Sequence, residues 1–393
     1  MYLFRMKAKS ISGKSVHEIQ NALDSSRSDG FRPTLAIAFI SLQMDREGIL
    51  AIFRQAGIDL LGATSSGEFI NGHEDSHSAV ILLLDINREY YTILFEDAAN
   101  CDLRECVSGL AQKAKNTFTH PGFILCSTSM SFRGEFLDGD VIVRQIEKEF
   151  GEQVNIYGGM AGDDFTFTGT YVFTLDQQTD EGIAALVLDE DKISIHGMAI
   201  SGWKPLGLTR TVTKSIGRLL YSIDDQPAVD MYMKYLGYDP KSGEDKYSLF
   251  EAVGAHYPFQ VEREVGEPGM VTPIGIDKEE NALICESKIP QGAKIRFSAP
   301  PDFDIVDKVL AQAKQLKENE KADADALLIF SCIGRFSAMG PLTHQENEGL
   351  SEIWKAPMAG FYTYGEFGRA VNGRQEYHST TCSWVTLKER DKE

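Results

Sequence analysis

Gly62-Ala-Thr-Ser-Ser-Gly-Glu68, Gly158-Gly-Met-Ala-Gly-Asp163 and Gly360-Phe-Tyr-Thr-Tyr-Gly-Glu366 each bring a glycine-rich run to a close on a carboxylate. One such match means little, but the three share their surroundings. A strand at 34–40 and a helix at 47–56 precede the first turn. A strand at 122–126, a helix at 141–150 and a strand at 154–157 precede the second. A strand at 326–330, a helix at 346–354 and the run Pro357-Met-Ala precede the third. Glycine admits positive φ and lets backbone lie close to a ligand. Successive N–H groups in such a turn form an anion-binding nest, and the acid can hold an amine or a guanidinium. The alternative is a tight structural turn whose acid caps the backbone.

Outward from the turns, the order of elements repeats. Apolar runs at 79–86 and 91–95, separated by Asn87-Arg88, predict a β-hairpin. Val107, Leu110, Ala111 and Ala114 at helical spacing predict a helix over 103–118. The strand at 122–126 then enters the polar loop Ser127-Thr-Ser-Met-Ser-Phe-Arg-Gly134. In the second half, strands at 271–276, 282–286 and 293–297 precede a helix at 303–317, entered through Pro300-Pro301-Asp302. The strand at 326–330 enters a loop over 331–340 that carries Arg335. The pattern predicts an α+β fold of two pseudo-repeated halves, with mixed β-sheets packed together and helices outside. Strands and helices alternate too irregularly for a doubly wound sheet.

If the turns converge, the pocket between them is lined by Thr64, Ser65, Ser66 and Glu68 from the first and by Gly159, Gly162 and Asp163 from the second. Tyr364, Glu366 and Thr380 complete it from the C-terminal side. Arg335 is the leading polar contact, since its fork suits a carboxylate or a haem propionate. A salt bridge from Arg335 to Glu366 or Asp163 is the competing reading.

Composition narrows the partners. With 58 Asp+Glu against 39 Lys+Arg, the net charge of -19 repels nucleic-acid phosphates and anionic lipid. Six cysteines scattered through 393 residues are too sparse for a disulfide scaffold, and no CxxC pair marks a zinc knuckle. Cys126 and Cys332 sit in apolar runs, where a thiol packs as a small hydrophobe. No stretch approaches 18 apolar residues and no secretory leader is evident, so a cytoplasmic location is expected.

Catalytic signatures are thin. His73-Glu-Asp-Ser-His77 matches H-E-x-x-H, but that pattern binds zinc only on a helix, and Asn71-Gly72 before it predicts a turn. Neither a nucleophile elbow, a P-loop nor G-x-G-x-x-G is present. Glu68, Asp163 and Glu366 are acids available to an enzyme, yet nothing places a water or leaving group beside them. Alternation along 192–200 sends Ile193, Ile195, Gly197 and Ala199 one way, and His196 and Met198 the other. His378 lies on a strand near the C-terminus with Thr380 and Cys382 on its face; His256, in a loop, has the weaker case.

Taken together, Gly62–Glu68, Tyr157-Gly-Gly-Met-Ala-Gly-Asp-Asp164 and Gly202-Trp-Lys-Pro-Leu-Gly207 resemble the FIST N domain. Ser331-Cys-Ile-Gly-Arg335, Gly360-Phe-Tyr-Thr-Tyr-Gly-Glu-Phe-Gly368 and His378-Ser-Thr-Thr381 resemble the FIST C domain. The resemblance divides the chain into 30–225 and 226–388. It implies a non-enzymatic sensory module for a small molecule such as an amino acid. Stand-alone bacterial relatives of this length also look like nitric oxide sensors that bind haem and regulate a histidine kinase or a cyclic-di-GMP enzyme. On that branch, His196 and His378 are the candidate iron ligands, chosen by strand geometry. An amino-acid or other metabolite sensor, an enzyme using the acidic turns, and a scaffold without ligand are the competing readings.

Overall fold

Leu35–Ser41 and Asp59–Ser65 pair in parallel, so the chain between them must cross over the sheet, and Arg46–Ala56 does so as a helix. Leu35–Ser41 is buried on both faces, hence its near-continuous apolar run, and Asp59–Ser65 is buried from Leu60 onward. The computed structural model describes residues 5–237, 249–263, 267–321, 323–371 and 373–391. The same parallel crossover occurs twice more. Pro121–Ser127 pairs with Ile156–Met160 across helix Gly139–Phe150. Ala326–Cys332 pairs with Met358–Thr363 across helix Leu342–Trp354.

Each crossover sits in a larger unit. An entry strand, Lys7–Gly13, Tyr91–Asp97 or Ile193–Ile200, opens the unit. A closing strand, Ala79–Asp85, Gly182–Asp189 or Cys382–Glu389, ends it and pairs antiparallel between the entry strand and the first parallel strand. A helix follows each entry strand: Val16–Ser26, Leu103–Thr117 and, after an insertion, Ile305–Asn319. The glycine-acid turn therefore belongs to a unit present three times along the chain.

The turn is where each unit lends strands to another. After the first turn, Glu68–Ile70 leaves its own sheet and pairs with Met358–Thr363 of the third unit. After the second, Val172–Thr174 pairs with Asp59–Ser65 of the first. After the third, Glu366–Arg369 pairs with Ile156–Met160 of the second. Three six-stranded mixed sheets result, each completed by a neighbour's hairpin. Their inner faces meet in one core that includes Phe39, Ile124, Tyr157, Leu186, Phe330, Phe361 and Val385. The crossover helices pack outside, as the α+β expectation required.

Three sequence expectations change. The runs at 79–86 and 91–95 do not form a hairpin: Ala79–Asp85 and Tyr91–Asp97 lie in different sheets, linked by the helical turn Arg88–Tyr90. Nor do the strands near 271–297 correspond to them. They belong to a sheet inserted into the third unit, running from Lys204–Ile216 to Lys294–Ala299 and covered by helix Ala228–Leu236. The loop expected at 331–340 is instead helix Ile333–Met339. Cys101 and Cys106 form a disulfide at the start of helix Leu103–Thr117, while Cys126, Cys285, Cys332 and Cys382 are buried thiols.

Candidate functional site

The three turns do meet. The Ser66 N–H donates to the Tyr362 carbonyl, and the Gly162 N–H to Thr64. Met160 donates to Gly365, and Tyr364 in return to Met160. Gly158, at φ +147°, brings its backbone so close to Leu125 that a Cβ would sit 2.0 Å from the Leu125 carbonyl oxygen.

Their acids, however, face inward. Glu68, Asp163 and Glu366 are all 0% exposed. Glu68 accepts from the Ser65 hydroxyl and from the Ser78 N–H and hydroxyl, at 3.2 and 2.8 Å. Glu366 repeats the arrangement with Thr363 and with the Thr381 N–H and hydroxyl, at 3.1 and 2.7 Å. In both units the acid ties its turn to the residue that opens the closing strand. Asp163 accepts three backbone N–H groups, from Phe167, Thr168 and Gly169, and the Tyr364 hydroxyl. These carboxylates cap backbone, so the expectation that they line a hollow is corrected. Burial pushes Glu68 up to about 7 and Glu366 up to about 8, against the donors that favour their ionised forms.

Arg335 is likewise committed. Its Nε and Nη2 donate to Glu346 at 2.9 and 2.5 Å, its Nη1 donates to the Ser201 carbonyl, and both charged side chains are fully buried. The partner is neither of the acids expected, and the guanidinium is not presented to a ligand. Thr64, Ser65 and Ser66 lie within the interior; the Thr64 hydroxyl accepts from the Tyr171 N–H and the Ser66 hydroxyl from Asp163. A Cβ on Gly159 would meet Thr363, and one on Gly162 would meet Ser66. Thr380 bonds the carbonyl of its neighbour Ser379.

The histidines are not brought together. Burial, reinforced by Arg263, pushes His378 down to about 3, and its Nε2 lies 3.1 Å from the Gly368 carbonyl. His196 instead lines an open polar cleft with Glu190, Lys388 and Arg390, which His378 does not reach. His73–Asp75 is a short strand, and Glu74 accepts from Asn347 and from the Tyr362 hydroxyl. No group of three or more possible metal ligands occurs among the described residues.

A cavity of about 50 Å³ does open beside the converged turns. Met160 and Tyr364 reach it from the second and third turns, Ser129, Met130 and Phe136 from the loop after Pro121–Ser127, and Cys332 and Ile333 from the end of Ala326–Cys332. The insertion supplies Phe250, Thr272, Ile274 and Glu286, and Leu137, Phe167 and Tyr377 complete the wall. Phe167 stacks on Tyr364 at 5.2 Å and meets Phe250 edge-on at 5.5 Å. Glu286 accepts from the Thr272 N–H at 3.0 Å and the Ser379 hydroxyl at 2.9 Å. Burial pushes its carboxyl up to about 7 and the Cys332 thiol well above its ordinary range, so the thiol stays neutral. Of the residues expected at the pocket, Tyr364 alone lines this cavity. The loop after Pro121–Ser127 was legible as a break in the pattern; Glu286 carried no signal, falling at the end of the strand expected at 282–286.

A relative from Methanocaldococcus jannaschii, an uncharacterised protein, is 23% identical over 330 residues. The match takes in 76% of this chain but 60% of that relative's length. Among solved structures, T. maritima PurL complexed with ATP aligns at 10% identity with a TM-score of 0.19, over 98% of this chain and 71% of its own. Nothing about fold or function follows from so low a score. No helix among the described residues is long and apolar enough to cross a membrane. The family model of the FIST N domain matches residues 34–226 and that of the FIST C domain residues 228–369, covering all three turns, the insertion and most of the cavity wall, and the chain belongs to the FIST family.

Proposed function

We propose that the protein is a sensor that takes a small molecule into the cavity beside the three turns and passes its occupancy to a signalling partner. The observation that carries this is the composition of the wall: two repeat units and the insertion each contribute, so a ligand there touches all three at once. The segment Ser379–Thr381 transmits best, because Ser379 bonds Glu286 in the cavity wall while Thr381 bonds Glu366 in the interior. A ligand that pulls on Glu286 therefore acts on a turn acid through Ser379-Thr380-Thr381. The partner, on the family's pattern, is a separate signalling protein such as a histidine kinase or a cyclic-di-GMP enzyme.

A non-catalytic role is supported by the turn acids, which bond protein atoms on every side, so the enzyme reading loses the groups it relied on. Haem does not fit the residues present. The cavity is far below the roughly 300–1,000 Å³ of ordinary cofactor pockets. His378 is buried against a backbone carbonyl, and His196 borders a cleft whose described lining includes Glu190, Asp191, Lys192, Lys388 and Arg390, unlike the apolar slot a macrocycle needs.

Thermal melting against a small-molecule collection tests the proposal, since a ligand at about 100 times its Kd adds about 2.7 kcal/mol to apparent stability. Ile274→Phe fills the cavity from the insertion side and should abolish the shift while the unliganded variant still melts cooperatively. Ligands that stabilise the filled variant as much as the wild type would falsify this assignment of the site.

A further inference from the structure

The chemistry of the cavity wall is selective. Among the described residues that line it, Glu286 alone carries a charge. Its two carboxylate oxygens accept from the Thr272 N–H and the Ser379 hydroxyl, and the Thr272 side chain bonds it as well. A carboxylate has about four lone-pair sites, so acceptor capacity remains. The wall also carries the rings of Phe167, Phe250 and Tyr364, and of Phe136, one face of which already holds the Arg218 guanidinium. Aromatic faces are electron-rich and attract a cation within about 6 Å. The size also selects: at roughly 10–15 Å³ per water, about 50 Å³ holds about four waters.

We propose that the cavity is a receptor for a small organic ammonium ion of about four non-hydrogen atoms, its N–H groups donating to Glu286 and its alkyl part packed among the rings. The inference rests on the sensing role of this cavity and specifies the ligand class. An anion finds one carboxylate and π-faces there, both repulsive. An amino-acid zwitterion brings a carboxylate for which the wall offers no cation. A neutral molecule gains the apolar contacts but not the ion pair.

The state of Glu286 fits a cation acceptor. Burial raises its carboxyl to about 7, and the Arg218 charge works the other way. The Arg218 Nε donates to the Glu286 backbone carbonyl, and its guanidinium lies 3.3 Å from the centre of the Phe136 ring. Glu366, Cys332 and Tyr377 are the remaining titratable groups beside it, and Glu366 when ionised opposes its ionisation. An entering ammonium therefore stabilises the ionised form and displaces a proton.

Three compounds of four non-hydrogen atoms make the test: isopropylammonium, isopropanol and acetate, each titrated at pH 8 against the full chain by calorimetry. Saturable binding of isopropylammonium, with at least tenfold weaker binding of isopropanol and acetate, is expected. Its affinity should fall about tenfold per pH unit well below pH 7, where Glu286 holds its proton. Glu286→Gln should lose at least tenfold for the ammonium and nothing for isopropanol. The pH profile of the wild type gives an independent reading if that variant folds poorly. Isopropanol binding as tightly as isopropylammonium, with no pH dependence, overturns the ammonium assignment while leaving the cavity a binding site. Binding of the ammonium that survives Ile274→Phe unchanged places it elsewhere and overturns both readings.

Discussion

Replacing Glu366 by Gln isolates the energetic cost of a turn acid. The carboxyl is completely buried and takes three donors, from the Thr363 hydroxyl and the Thr381 N–H and hydroxyl. Those donors favour the ionised form, yet burial wins and lifts the group from 4.5 to about 8, with Glu286 adding repulsion. Between these values the folded chain keeps a proton that the unfolded chain has lost. Stability from this group is thus fully present below about pH 4.5 and is lost as pH rises through about 8. Each pH unit is worth about 1.4 kcal/mol. The full interval amounts to about 5 kcal/mol as an upper bound. Gln resembles the protonated acid in shape and does not titrate. The expected result is a variant whose stability, relative to the wild type, improves by about 1 kcal/mol per pH unit between pH 5 and 8, then levels off. Thermal denaturation of both proteins over pH 5 to 9 measures it. Parallel profiles would mean that Glu366 stays ionised throughout and that its hydrogen bonds, not its burial, set its state.

Other substitutions test the packing around the site. Arg335→Met leaves Glu346 buried without its partner and should cost about 3–5 kcal/mol, whereas Arg335→Met with Glu346→Leu should recover much of that in urea titrations. A loss below about 1 kcal/mol for the single variant would show that the pair is not enclosed as described. Gly158→Ala combines a disallowed φ with a clash against the Leu125 carbonyl, so the variant should fail to accumulate as folded protein in a solubility and melting assay. Gly109→Ala, by contrast, adds a Cβ in open space within helix Leu103–Thr117 and should stabilise by about 1 kcal/mol.

The helices and the buried strands were legible because their patterns arise locally. Val107, Leu110, Ala111 and Ala114 are buried as their spacing demanded, and the alternation over Ile193–Ile200 reproduces the sides predicted for it. What periodicity reports is which face of a segment is apolar, not which sheet receives it. Ala79–Asp85 and Tyr91–Asp97 could each serve either sheet, and the choice depends on distant partners: Lys7–Gly13 and Leu35–Ser41 for one, Gly182–Asp189 for the other. The lent hairpins were hidden for the same reason, since Glu68–Ile70 offers three residues that pair with Ala359, Gly360 and Phe361, far along the chain. At the site, the turns themselves were readable because backbone geometry demands glycine there. The carboxylate that faces the cavity was not, because Glu286 follows an ordinary buried strand and its meaning comes from Thr272 and Ser379, which the fold supplies.

Why one junction opens into a cavity while its equivalents do not follows from the insertion. Where the first unit lends its hairpin to the third, Glu74 reaches Tyr362 and Asn347, and helix Leu342–Trp354 closes over the contact. Where the second lends to the first, residues 164–169 fold back onto Asp163, and Asp164 bonds Ser41, filling the space with the turn's own chain. Where the third lends to the second, Gln375–His378 is followed by Ser379–Thr381, which packs against strands of the insertion instead of a helix of its own unit. Strand ends and a helical turn cover that junction with separated side chains, Phe250, Ile274 and Glu286 among them, and a gap is left between them. The threefold scaffold provides three junctions built on the same exchange of strands; the insertion covers one of them. Variation in the insertion is thus the expected route by which such a scaffold changes its ligand while keeping its turns. Exchanging Ile274 and Glu286 should alter what is bound without altering the melting of the three-sheet core.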